Sequence, residues 1–191
     1  VNLRAALTRQ IQRCIQQNSP ENPSRIRMSM NSLVDPEMIQ MLYKASIAGV
    51  KVELVIRGIC CLRPGVKGLS ENITVRSIVG RFLEHTRIFH FASDGKDTIY
   101  IGSADLMQRN LNRRMEILFP IERPELQARL KEIVAVMLAD NEKSRELQPD
   151  GTYQRVVVEK GMPRVNAQKF FLERAQERTS HTDTIADPFQ G

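Results

Sequence analysis

Residues 25–56 carry the pattern that most restricts the fold. "RIRMSM" (25–30) alternates, with Ile26, Met28 and Met30 on one face of a strand. Asp35 and Pro36 form an N-cap and first-turn pair for a helix that runs to about Ala48, and Gly49 ends it. "VKVELVI" (50–56) is a second strand. Strand, helix and strand in this order imply a crossover unit. A crossover in turn implies a layered α/β domain, with helices covering the sheet.

The remaining elements read around this unit. Leu3, Leu7, Ile11, Cys14 and Ile15 recur at helical spacing within residues 2–17. "NSPENPS" (18–24) is a turn-rich link. Residues 57–72 form a loop rich in Gly, Pro, Arg and Lys, and residues 73–79 are strand-like. Strands at 87–92 and 98–103 flank Asp94 and Gly95, a strong hairpin signal. Further strands are predicted at 114–121 and 152–158. A long helix is predicted over 125–142, with Leu126, Leu130, Ile133, Val134, Met137 and Leu138 on its apolar face, and a shorter one over 166–178. The chain's end has no periodicity and is expected to be mobile. The expectation is a mixed β-sheet flanked by helices over 1–176, followed by a tail over 177–191.

Charge narrows the class of partner. Lys and Arg number 28 against 22 Asp and Glu, a net charge of +6. Such an excess favours anionic partners. It is concentrated: between Arg57 and Arg114 there are ten basic and five acidic residues. Aromatic residues are only 5%, too few for a nucleic-acid stacking platform interleaved with these cations. Cys14, Cys60 and Cys61 match neither a disulfide framework nor a zinc motif. They read as small buried hydrophobes in a reducing cytoplasm. No apolar run is long enough to cross a bilayer, and no signal peptide opens the chain. Val1 lies in what reads as a helix already under way, as expected for a piece excised from a longer polypeptide.

Chemistry gathers around "RFLEHTRIFHF" (81–91). On a strand, His85 and Arg87 share a face and project together. A guanidinium fork suits phosphoryl oxygens, and an imidazole can attack phosphorus or give a proton to a leaving oxygen. An isolated His-x-Arg reads more simply as a strand-capping histidine beside a solvated arginine. Here, "GSADLMQRN" begins 17 residues after His85. Gly102 and Ser103 at a strand end can cradle an anion. Asp105 has two readings: it accepts from the His85 ring, or it pairs with Arg109 or Arg113. Arg57 follows a strand at its carboxyl end, where α/β sheets place ligand groups, and Arg63 and Lys67 lie nearby, so it reads as a phosphate contact. His90 is read as structural and His181 as inert.

His85, Arg87 and the Gly-Ser element resemble the half-site of the phospholipase D superfamily, His-x-Lys followed by Gly-Ser-x-Asn. Arg87 stands in the lysine position, and Asp105 stands where asparagine is common. A longer series, "NSLVD", "ELVIRGICCLRPG", "SIVGRFLEHTR" and "SADLMQRNLNRR", is similar to the C-terminal catalytic domain of bacterial polyphosphate kinase from about residue 2 to about residue 175. That family reversibly transfers the terminal phosphate of ATP to inorganic polyphosphate. The resemblance implies the second of two phospholipase-D-like domains. The phosphorylated histidine and the Mg2+-linked arginines are then expected in the absent first domain, with no metal site in this chain. Arg57 matches the arginine on the nucleotide phosphate, and His85 matches the second essential histidine. Arg87 is expected on ATP or phosphate. Ser103, Asp105, Arg109 and Arg113 are expected on polyphosphate or in support. The resemblance also implies ATP, ADP and polyphosphate as partners, together with the remaining domains of the same polypeptide. It further implies a homodimer or higher oligomer in a cytoplasmic enzyme, with peripheral inner-membrane association left open, and an inactive chain in isolation. Two other classes stay open from the residues alone: a phospholipase-D-like phosphodiesterase or nuclease acting as a dimer, and a non-catalytic polyanion-binding module. No nucleic acid is expected as partner.

Overall fold

The computed structural model describes residues 2–158 and 160–182. In chain order the elements are α1 (Leu3–Gln17), β1 (Arg25–Met30), α2 (Pro36–Ile47), β2 (Lys51–Ile56), β3 (Ile73–Ile78), β4 (Ile88–Ser93) and β5 (Lys96–Gly102). They are followed by α3 (Gln108–Asn112), β6 (Leu118–Ile121), α4 (Pro124–Ala139), β7 (Ser144–Leu147), β8 (Tyr153–Arg155) and α5 (Ala167–Thr182).

The crossover forms as the sequence pattern requires. Asp35 caps α2 by accepting from the Met38 amide at 3.0 Å, and Gly49 leaves the helix at φ +82°. β1 and β2 then pair in parallel, from Arg25 with Lys51 to Met30 with Ile56. Among the described residues, eight strands make one mixed sheet in the order β6-β5-β4-β1-β2-β3-β7-β8. The β4–β5 hairpin turns at Asp94 (φ 52°) and Gly95 (φ 66°), the left-handed pair a two-residue turn needs.

Helices cover both faces. Leu7, Ile11 and Cys14 of α1 and Met38 and Leu42 of α2 share one core with Ile26, Met28, Leu54, Ile56, Phe89 and Phe91 of the sheet. On the opposite face Val134 of α4 packs with Ile88 and Ile99, and Met137 packs with Val55 and Ile78. The central strands are therefore buried on both sides, and for that reason β2 reads as a nearly continuous apolar run.

Several elements depart from the sequence expectation. β6 begins at Leu118 rather than 114, because the chain at Glu116 and Ile117 folds back onto Ser103 instead of joining the ladder. α4 stops at Ala139 rather than 142. There the buried Asp140 carboxylate draws the amides of Glu142, Lys143 and Ser144 into a turn, at 3.2, 2.8 and 2.9 Å. Neither α3 nor β7 is expected from the sequence: α3 is about one turn long, and "SREL" has no apolar alternation. Cys14 is buried, but Cys60 is only half-buried and Cys61 is exposed. Residues 59–61 run extended beside Leu33, so the adjacent cysteines point to different sides. Burial pushes the Cys14 and Cys60 thiols up to about 11. α5 reaches Thr182, so residues 177–182 of the expected tail are helical; residues 183–191 lie outside the described residues.

His90 ties the β4–β5 hairpin to α4. Its Nε2 lies 2.6 Å from Asp97 Oδ1, and Lys131 Nζ of α4 donates to Asp97 Oδ2 at 2.5 Å. Burial holds the His90 pKa below its ordinary 6.5. The Asp97 contact opposes this shift, while the charges of Arg27 and Lys131 add to it. For Asp97, burial is outweighed by Lys131 and His90, so its pKa lies below 3.8. The fold therefore favours neutral His90. The stability it contributes is complete above about pH 6.5 and is lost as pH falls from there through the lower folded value. His90→Gln should flatten the slope of unfolding free energy between pH 7.5 and 5.5, a slope that one proton limits to about 1.4 kcal/mol per pH unit. Urea titrations at the two pH values measure it, and an unchanged slope would remove His90 as its source.

Candidate functional site

The sheet brings the site residues to one end. β4 runs antiparallel to β1, with Ile88 opposite Ser29, and β5 runs antiparallel to β4, with Ile101 opposite Ile88. The carboxyl ends of β1, β2 and β5 therefore meet the amino end of β4. Asn31 follows β1, Arg57 follows β2, His85 precedes β4 and Ser103 follows β5.

A buried carboxylate joins these segments. Asp105 Oδ1 accepts from the backbone amides of Asn31 at 2.7 Å and Ser32 at 3.0 Å. Its Oδ2 accepts from Arg87 Nη2 at 2.8 Å. The two side chains are only 4% and 9% exposed, so the pair is shielded from water. Arg87 Nη1 donates to the His85 carbonyl at 2.8 Å. On the other side of Asn31, its Oδ1 accepts from Arg57 Nε at 3.1 Å and Nη2 at 2.8 Å. One hydrogen-bonded path thus runs Arg57–Asn31–Asp105–Arg87–His85. Gly58 lets the Arg57 loop approach, since a Cβ there would sit 2.8 Å from the Asn31 carbonyl.

The positions differ from the strand-face picture. His85 and Arg87 do not share a strand face, because β4 starts only at Ile88. His85 is exposed, and its ring makes no hydrogen bond to a described residue. Arg87 points inward to Asp105, and Asp105 reaches neither the His85 ring, Arg109 nor Arg113. Arg57 is half-buried and Arg109 and Arg113 are exposed. The Gly-Ser element is satisfied from within. The Gly102 amide donates to the Arg87 carbonyl at 3.4 Å and the Ser103 amide to the Ile117 carbonyl at 3.1 Å. The Ser103 hydroxyl donates to Glu116, which also accepts from Asn110 Nδ2 at 2.5 Å.

Two positioning residues were not expected. Asn31 stands in "NSLVD", where its amide was a visible signal without an assigned partner. Gln168 of α5 gave no local signal. Its side chain accepts from the Phe82 amide at 3.0 Å and donates to the Phe82 carbonyl at 2.8 Å and to Glu84 at 2.9 Å, pinning the loop that carries His85. Among the described residues no group of three or more His, Cys, Asp or Glu side chains could hold a metal ion. No described helix is long and apolar enough to cross a membrane.

Residues 1–168 match the family model described as polyphosphate kinase C-terminal domain 2. The chain belongs to the polyphosphate kinase family. It is 52% identical over 164 residues to a polyphosphate kinase of Lactiplantibacillus plantarum, covering 85% of this chain and 23% of that protein. The crystal structure of polyphosphate kinase from Porphyromonas gingivalis superposes with a TM-score of 0.88 at 34% identity, covering 95% of this chain and 28% of that one. The chain thus spans about a quarter of the length of the polyphosphate kinases it matches. Nuc from Salmonella typhimurium, a phospholipase D family member, has a TM-score of 0.53 at 18% identity, covering 76% of this chain and 90% of that one. That likeness supports the phospholipase-D-like fold.

The ion pair at the centre of the path should dominate local stability. Asp105→Ala leaves Arg87 charged and buried and two amides unpaired, and should lower unfolding free energy by about 3–5 kcal/mol. Arg57→Ala removes a half-buried side chain from a loop and should cost below about 1 kcal/mol. Urea denaturation of both variants tests the ranking, and equal losses would sink it.

Proposed function

We propose that this chain supplies one half of a phosphoryl-transfer site in which the terminal phosphate of ATP passes reversibly to inorganic polyphosphate. The observation that carries the reading is the path joining Arg57 to His85 at one end of the sheet. Family membership supplies the substrate class. Asn31 engages Nε and Nη2 of Arg57 and leaves Nη1 without a protein partner among the described residues. That donor is suited to a non-bridging phosphate oxygen, and its charge offsets negative charge building on the transferring group. His85 gives a proton to the leaving oxygen, or stabilises its charge, from an exposed loop held at the backbone by Arg87. Arg87 acts in this reading through His85, as a positioning residue rather than a direct ligand. Ser103 and Asp105 serve as supports, and Arg109 and Arg113 attract the polyphosphate chain.

In this reading the phosphorylated histidine and the Mg2+ ligands lie in a part of the enzyme other than this chain; the described residues form no donor set for the metal, and no step here depends on it. Phe82, Leu83 and Met115, at 47%, 68% and 99% exposed, flank the site. Such apolar exposure supports its completion by another protein surface, from the remaining domains or a second copy. The same reading places the enzyme in the cytoplasm as an oligomer, with peripheral membrane contact open. A hydrolytic phospholipase-D-like reading fits less well, because residue 87 is an arginine committed to Asp105.

In the intact enzyme His85→Ala should lower turnover by about 10²–10⁴-fold with the fold retained by circular dichroism. After labelling with γ-phosphate-labelled ATP, peptide mapping at alkaline pH should place phosphohistidine on a peptide other than the one containing His85. Label on the His85 peptide alone would overturn the assignment.

A further inference from the structure

A second group of cations lies beside Arg57, outside the stretch whose charge the sequence made conspicuous. β7 pairs antiparallel with β3, with Ser144 opposite Ile78, and β8 pairs with β7, with Arg155 directly opposite Arg145. This places Lys143, Arg145 and Arg155 at the same end of the sheet as Arg57. Together they line a cleft of about 550 Å³, with Gly58, Ser77 and Tyr153.

Like charges directly opposite on neighbouring strands are destabilising. Elsewhere in this sheet such crowding is relieved. Arg25, Arg27 and Lys51 surround Glu53 at 3.6, 2.8 and 3.2 Å, and Arg76 lies 3.7 Å from Glu146. Among the described residues, Lys143, Arg145 and Arg155 have no carboxylate within 4.0 Å. Among the described residues the Arg57 side chain has only the neutral Asn31 amide as a hydrogen-bond partner. Among the described residues Glu142 is the one acid lining the cleft, and its carboxylate accepts from Asn166 at 3.3 Å. The shelf is also held in place. Asp140, fully buried, fastens the amides of Lys143 and Ser144 with Oδ1 and that of Ala167 with Oδ2 at 2.8 Å.

We propose that the β7–β8 ribbon is a binding shelf for a linear chain of phosphate groups, with Lys143, Arg145 and Arg155 continuing the site from Arg57. It rests on the reading of Arg57 as a phosphate ligand. Cations spread over two strands and a turn match anionic charge repeated along a chain, where a single phosphate would occupy one guanidinium fork. Nucleic acid is disfavoured, because among the described residues Tyr153 is the only aromatic side chain lining the cleft. The phosphate chain has two sources: the triphosphate tail of a nucleotide, or inorganic polyphosphate.

The test is calorimetric titration of this chain at low salt with ATP, long-chain polyphosphate and single-stranded DNA of matched charge. Arg145→Gln/Arg155→Gln should weaken a phosphate-chain ligand by about tenfold or more. Lys51→Gln/Lys96→Gln, an equal charge change at the opposite end of the sheet, should alter it by less than about twofold. Loss for polyphosphate alone names the inorganic chain, and loss for ATP alone names the nucleotide tail; both support the shelf. Arg57→Ala separates the two readings. If it weakens binding while the shelf variant does not, the shelf is overturned and the phosphate site stands. If only the shelf variant weakens binding, the shelf stands and Arg57 is removed from the site. DNA bound as tightly as polyphosphate, no binding by the unaltered chain, or equal losses in both double variants each overturn the shelf. The shelf variant should unfold at no lower a temperature than the unaltered chain, since it relieves a like-charge pair; a lower Tm marks those arginines as structural and also counts against the proposal.

Discussion

The buried Asp105–Arg87 pair is the interaction on which the site depends. Desolvating two charges is expensive, and a single pairwise attraction rarely offsets it. Here the carboxylate gains two backbone amides as well, and the guanidinium gains the His85 carbonyl. Those additional partners come from two segments at the end of the sheet, the residues after β1 and the loop before β4, and Asp105 itself follows β5. The charge that is costly to bury therefore sets the relative positions of the β1, β4 and β5 connections. In the same way, Arg87 is kept from the solvent-facing role its place beside His85 would otherwise allow.

Asp140 does the same at the other edge of the sheet. Its oxygens collect amides from the turn before β7 and from the start of α5. α5 in turn returns through Gln168 to the loop carrying His85. Two buried acids, each satisfied mainly by backbone, thus hold loops that have little apolar packing of their own. What they leave outside is consistent in character. Arg57, Arg145 and Arg155 carry positive charge and His85 an exposed imidazole, without carboxylate partners among the described residues, and exposed apolar side chains stand nearby. Such a surface is suited to a polyanion at its centre and to another protein surface at its rim.

Local pattern was enough for the elements with strong periodicity. The crossover of β1, α2 and β2, the Asp94–Gly95 hairpin and α1 depend on cap, turn and side-chain spacing that act within a few residues. β7 was not legible, because three polar residues and a single leucine become a strand only when β3 offers an open edge. The start of β6 was misplaced because the interaction that delays it, Ser103 with Glu116 and Ile117, spans more than a turn of local sequence.

By itself the sequence determined the α/β class, the family motifs and the residue types available for phosphate chemistry, since these reside in spacing and composition. Only the tertiary structure decided which way those residues face. Arg87 turns inward because Asp105, eighteen residues away, lies within hydrogen-bond reach. Arg145 and Arg155 became a feature only once antiparallel pairing set them opposite each other. Partner choice of this kind depends on distances through space, and a linear chain of residues does not contain them until it folds.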